Sequence, residues 1–444
     1  MVLPCEGNRV LFLICGVSSL VGFFPHVRPA GDNMMNTAKA KESRNSSLRF
    51  TIAEHASSLS TKLQEHQTNI FPPHARKGIR AFTPSEAAKL LGVAEGYLRT
   101  VAVDLEKKAS EGGGIEFRPA VAGGRRMYSV QEISAIRAYL DRPGRTSGRY
   151  LPHRRDGEEL QIISVMNFKG GSGKTTTSAH LAQYLALRGY RVLAIDLDPQ
   201  ASLSALFGNQ PEVDVGPNET IYGAIRYDEE RRPIQEIVRG TYIPDLHIIP
   251  GNLELMEFEH DTPKALLQRK PDDILFFARL QASIREVEHA YDVVVIDCPP
   301  QLGFLTLSAL TAATSALITI HPQMLDVMSM NQFLSMMSAL LEEIAEAGAE
   351  DRNNWMRYLI TRFEPTDGPQ NQMVAFLRSM FGEDVLVNPM LKSTAVSDAG
   401  ITKQTLFEVE RTQFTRSTYD RAMESMNNVN GEIESLIKAT WGRS

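Results

Sequence analysis

From Leu160 onward the hydrophobic positions fall in short unbroken runs instead of alternating. "QIISVMN" (161–167), "RVLAID" (191–196), "LHIIP" (246–250), "DVVVID" (292–297), "ALITI" (316–320) and "RYLITRF" (357–363) each read as a strand buried on both faces. The intervening stretches have helical spacing, the first running from Lys174 to Arg188 and stopped by Gly189. Strands alternating with helices predict a parallel, doubly wound α/β domain over 160–444.

Upstream the pattern is helical and broken into smaller pieces. Leu48, Ile52, Ala56, Leu59 and Leu63 lie on one face of an amphipathic helix within 47–70, ended by "FPP". Its face must pack on a domain or on a second copy, and the second would make it a dimerisation helix. In "FTPSEAAKLLGVAEGYLRTVAVDLE" (82–106), Thr83 caps a helix that opens on Pro84, and Glu86 completes a capping box. Ala87, Leu90 and Leu91 form its apolar face, Gly92 turns the chain, and a second helix from about Ala94 points Tyr97, Leu98 and Val101 inward. Two short helices around a glycine make a helix-turn-helix, with Arg99 placed for a base or phosphate contact. Two extended runs then flank Gly123-Gly124, carry Arg125 and Arg126 at their tip, and lead to a helix starting near Ser129. This is the pattern of a wing suited to phosphate or minor-groove contact, so 71–140 is expected to be a winged, DNA-binding domain. Asp141–Glu159, rich in Gly, Pro and charge, reads as a linker.

Charge sharpens that division. The net charge of −6 hides a segment, 72–157, that carries +7, leaving −13 on the rest of the 444 residues. A basic module beside an acidic one points to a polyanion for the first and other work for the second. Three cysteines (Cys5, Cys15, Cys298) give neither a disulfide framework nor metal-ligand spacing, which suits a reducing, cytoplasmic compartment. Val10–Phe24 is apolar but short for a membrane span, with no small-x-small cleavage site after it. The expectation is that Met34 or Met35 is the true start and that 1–46 is a disordered extension; a membrane anchor is the alternative.

The chemistry concentrates in "NFKGGSGKTTT" (167–177). The ordinary phosphate-binding loop reads G-x-x-x-x-G-K-[ST], and Phe168 stands where the first glycine belongs. The context is nonetheless right, after a buried strand and opening a helix. Gly170, Gly171 and Gly173 let backbone N–H groups turn toward phosphate oxygens, and the helix N-terminus adds positive potential. Lys174 can reach the β- and γ-phosphates, Thr175 can ligate Mg²⁺, and Thr176 can contact the α-phosphate. Asp297 ends a hydrophobic strand in the position of a carboxylate that holds the Mg²⁺ shell through water. Asp198 lies just past another strand, where it could position the attacking water; Asp196 reads as structural. The extra lysine, Lys169, is not required by the loop pattern.

Lys-Gly-Gly-Ser-Gly-Lys-Thr-Thr, Asp-Leu-Asp-Pro-Gln and Ile-Asp-Cys-Pro-Pro together resemble the deviant Walker A ATPases, and within them the ParA family of plasmid and chromosome partition proteins. "SEAAKLLGVAEGYLRT" and "GGRRMYS" narrow the resemblance to the larger type with an N-terminal DNA-binding domain, similar to the RepA proteins of RepABC plasmids. The resemblance implies that Lys169 reaches across to the nucleotide of a second subunit, so that two ATP molecules are sandwiched in a homodimer. It also implies slow ATP hydrolysis, stimulation by a centromere-binding ParB-type partner, and operator-specific as well as non-specific DNA binding on the nucleoid. Arg411, Arg416 and Arg421 are the candidates for the non-specific contacts, and no membrane is expected. Other readings share the loop. A membrane-positioning ATPase like MinD would need a basic amphipathic C-terminal helix, and "MNNVNGEIESLIKATWGRS" is short of lysines. A reductase like the nitrogenase iron protein would need more cluster-ligating cysteines than Cys298. A transcription factor that merely binds nucleotide would lack turnover.

Overall fold

The structure is a computed structural model that describes residues 48–70, 77–111, 116–142, 148–349 and 352–443. The extension 1–46, with its apolar run, lies outside the described residues. Helix α1 (Leu48–Ile70) belongs to a unit separate from the one that begins at Gly78, and Leu48, Ile52 and Leu59 on it are exposed.

The second unit opens with α2 (Pro84–Leu91), α3 (Glu95–Ser110), the hairpin β1 (Ala120–Ala122) and β2 (Arg125–Met127), and α4 (Val130–Leu140). Local chemistry sets each boundary. Thr83 and Ser129 each accept from the N–H three residues on, while Glu86 and Glu132 close reciprocal capping boxes. Gly92 ends α2 at φ 65°, and Gly123 and Gly124 at φ 57° and 75° give the hairpin the left-handed turn that side chains resist. On α3 the buried stripe is Leu98, Val101, Ala102 and Leu105. Tyr97, expected inward, is 51% exposed, because it lies about 100° around the helix from that stripe.

The sheet strands are β3 (Gln161–Met166), β4 (Val192–Asp196), β5 (Arg239–Gly240), β6 (Leu246–Ile249), β7 (Val293–Asp297), β8 (Ser315–Ile320) and β9 (Trp355–Ile360), in the order β5-β6-β4-β7-β3-β8-β9. All six strands expected from sequence form and run parallel. The two-residue β5 adds an antiparallel edge on β6, so the sheet is mixed; so short a strand leaves no periodic signal. Val293–Ile296 on the central β7 are wholly buried, each stabilising the core by about 1.5–3 kcal/mol. The longer helices of this part are α5 (Lys174–Leu187), α6 (Met256–Gln268), α7 (Phe276–Arg285), α8 (Phe304–Ala312), α9 (Met324–Glu346), α10 (Gly368–Phe381), α11 (Thr394–Ile401) and α12 (Arg416–Thr440).

Helices α2, α3 and α4 and the sheet share one hydrophobic core. Arg137 of α4, 5% exposed, donates to three carbonyls: Leu187 at the end of α5 (2.8 Å), Tyr150 (3.1 Å) and Leu90 at the end of α2. The stretch expected to be a linker is likewise pinned along its second half. Arg154 donates to Tyr291 O and its N–H to Asp292, while Arg443 donates to Pro152 O and His153 O. Composition marked it as linker, but Arg154 within it is spent on main-chain carbonyls of the body.

Candidate nucleotide site

The C-terminal ends of β4, β7, β3, β8 and β9 meet along one edge, where parallel α/β sheets bind ligands. The loop 167–173 leaves β3 at the centre of this edge and enters α5, whose N-cap is Gly173 at φ 89°. Gly171 is also left-handed, at φ 76°. Asn167 ties the loop down from below, its Oδ1 accepting Lys169 N–H (2.8 Å) and its Nδ2 donating to Thr319 O. Phe168 stacks on Phe333 of α9 at 6.4 Å between centroids, so the side chain that replaces the usual glycine anchors the loop rather than blocking it.

Lys174 is 6% exposed and its Nζ lies 3.3 Å from Lys169 O, across the mouth of the loop. Burial lowers its pKa, and Asp297 pulls the other way. Asp297, buried at the end of β7, accepts from Ser178 Oγ (3.0 Å) and is bonded by the Thr175 hydroxyl. Its Oδ2 has no partner among the described residues. Asp196 is its register neighbour on β4; burial raises both pKa values, with repulsion from Asp196 adding at Asp297 and repulsion from Asp198 adding at Asp196. A divalent cation beside Asp297 would reverse that penalty, and an orphaned carboxylate oxygen next to a threonine hydroxyl suits Mg²⁺, which prefers one or two protein oxygens plus phosphates. Asp196 itself is consumed structurally, accepting from Ser204 N–H (2.8 Å) and Oγ (2.7 Å) and from Asp198 N–H (3.2 Å). Asp198 is thereby held half-buried at the rim, within electrostatic reach of Lys174.

The two lysines differ. Lys169 Nζ pairs with Asp326 Oδ1 (2.9 Å) at the start of α9, with the Lys169 side chain 44% exposed and that of Asp326 7%. Sequence reasoning missed Asp326, and also Asn167, Ser178, Thr319, Thr361 and Arg362; only the strand-end "LITI" and "LITR" runs hinted at the last three. Of the arginines expected to contact DNA, Arg99 and Arg125 are exposed, whereas Arg126 is bidentate to Glu106 (2.9 and 2.8 Å), so the paired arginines are not equivalent. Arg411, Arg416 and Arg421 are exposed at the start of α12 and just before it, and Arg411 pairs with Asp420. The same region adjoins α2, since Tyr419 lies beside Arg80, which in turn pairs with Glu86 of α2 (2.6 Å).

A glycine loop between a buried strand and a helix, a lysine inside it, and an acidic strand end beside it define a P-loop ATPase. A family model described as "AAA domain" matches residues 160–347. The "Putative replication protein A" of Rhizobium rhizogenes is 70% identical over 392 residues, covering 88% of this chain and 95% of its own. Protein SopA of Escherichia coli K12 is 31% identical over 381 residues, covering 84% and 93%. A solved "Partition Protein" shares the fold at a TM-score of 0.54 and 20% identity, over 84% of this chain and 98% of that one. The chain belongs to the ParA/Soj/RepA family of partition ATPases. It is a weak Mg²⁺-dependent ATPase, and ATP and Mg²⁺ are its cofactors. Among the described residues no helix is long and apolar enough to cross a membrane.

Proposed function

We propose that the chain is an ATP-driven DNA-segregation switch of the cytoplasm and nucleoid. Lys174, Gly170, Gly171, Gly173, Thr175 and Thr176 hold the triphosphate, Thr175 and a water-linked Asp297 hold Mg²⁺, and Asp198 positions the attacking water. With ATP bound, Lys169 leaves Asp326 and crosses to the nucleotide of a second copy, making a sandwich homodimer that binds DNA. A centromere-binding ParB-type partner stimulates hydrolysis, the dimer parts, and DNA is released; turnover acts as a timer. Residues 71–140, the winged helix-turn-helix, bind the operator through Arg99 and Arg125 and repress the chain's own operon, while Arg411, Arg416 and Arg421 serve non-specific DNA. Exposed α1 contributes to dimerisation.

The observation that carries this reading is the pairing of the extra lysine. A cation needed for its own phosphates would stand free beside Lys174, yet Lys169 is paired with the buried Asp326 and is itself 44% exposed. Retention on non-specific duplex DNA in the presence of ATP and Mg²⁺ tests the cycle. The parent chain should be released as ATP is consumed, and Asp198→Ala should stay bound. Equal release of both would remove Asp198 and the timer from the account.

A further inference from the structure

The loop is braced from outside by the end of β9, and nothing in the nucleotide site as assigned uses that contact. Thr361 Oγ1, fully buried, donates to Ser172 O at 2.7 Å. Arg362 Nη1 donates to Gly171 O at 3.2 Å. These are two successive peptide units. A trans peptide is planar, with its C=O and N–H pointing in opposite directions. Holding the carbonyls of Gly171 and Ser172 toward β9 therefore aims the N–H groups of Ser172 and Gly173 the other way, into the concave side of the loop. Among the described residues those two N–H groups donate to no protein carbonyl. Thr319 of the adjoining strand bonds Ser172 Oγ (2.9 Å), fixing the same residue from a second side.

Arg362 also sits at φ 52°, in the left-handed region that a long side chain seldom adopts. The strand has just ended at Ile360, and from this left-handed position the guanidinium reaches Gly171 O. Strain at a site edge is worth a functional hypothesis when a contact depends on it, and here the Gly171 contact does.

The geometry points to Thr361 and Arg362 as positioning residues that preset the phosphate cradle, by fixing two consecutive peptide planes before nucleotide arrives. This rests on the nucleotide reading of the same loop. A cradle formed in advance spares the ordering cost at binding, so its loss falls on affinity for the phosphates.

Equilibrium binding of ATP and of ADP to the full chain, with a thermal melt of the nucleotide-free protein, tests it. Thr361→Val removes the donor at nearly constant volume and should raise both dissociation constants roughly tenfold, the worth of one buried hydrogen bond. Thr361→Ser should restore them, which simple packing loss would not. Arg362→Gly relieves the left-handed backbone while deleting the guanidinium, and should weaken both nucleotides several-fold without lowering the melting temperature. Binding within twofold of the parent in Arg362→Gly, or no rescue by Thr361→Ser, overturns the inference. If Thr361→Val does not fold, Arg362→Gly decides alone. A parent chain that itself binds no ATP would instead sink the nucleotide reading.

Discussion

The work of the site is divided among side chains whose surroundings differ more than their types do. Lys174 and Lys169 bracket one loop, yet the first is buried against a carboxylate and the second, exposed, is paired with Asp326. Lys174→Ala should therefore abolish ATP binding in a calorimetric titration, and normal affinity would refute the loop assignment. His180 makes a different point, one about stability. Fully buried on α5, its ring bridges Thr176 O (2.7 Å) and Leu406 N–H (3.1 Å), and burial pushes its pKa down from 6.5 to about 4. The unfolded chain thus binds a proton below about pH 6.5 that the folded chain refuses until about pH 4. Stability should fall as pH drops through that window, by about 3 kcal/mol from this group, and be unaffected by it above. Urea unfolding at pH 7.5, 6 and 5 would show a flatter profile in His180→Gln, and identical slopes would exclude the mechanism.

Among the elements, α5 links the two halves of the molecule. Its N-terminus receives the loop, and its C-terminus is gripped by Arg137 of α4. Gly189 just beyond adopts φ 96°, and an added Cβ would meet Arg137 Cδ at 3.0 Å and Tyr150 O at 3.1 Å. Gly189→Ala should cost on the order of 1–3 kcal/mol in a denaturant midpoint, where a tolerated substitution would say the junction is loose. For the hairpin, Arg125→Ala should lower the salt dependence of the proposed operator binding by about one phosphate contact. Arg126→Ala should do less, because Arg126 is already spent on Glu106. These elements also show which features the sequence carries. Strands such as "DVVVID" announce themselves because both faces are buried, and caps such as Thr83 with Glu86 are read from adjacent residues. Arg137, Asp326 and Thr361 were illegible because their partners lie 50, 157 and 189 residues away and are in two of the three cases main-chain carbonyls, which no side-chain pattern records. The antiparallel β5, two residues long, had no period to read.

At the scale of the whole molecule, helices α2–α4 and the ATPase sheet are one packed unit from Gly78 onward, not two bodies on a tether. Packed side chains therefore run without a break from the loop through α5 to helices α2–α4, a contact that the proposed nucleotide-controlled switch can use. The account turns on whether two copies share their nucleotides through Lys169. Sedimentation velocity of the parent and of Lys169→Ala, each with ATP and Mg²⁺ and each carrying Asp198→Ala to stop turnover, measures this most directly. The account predicts a dimer for the parent form, and for Lys169→Ala a monomer that still binds ATP with near-parent affinity. A Lys169→Ala protein that dimerises on ATP as readily as the parent would contradict it.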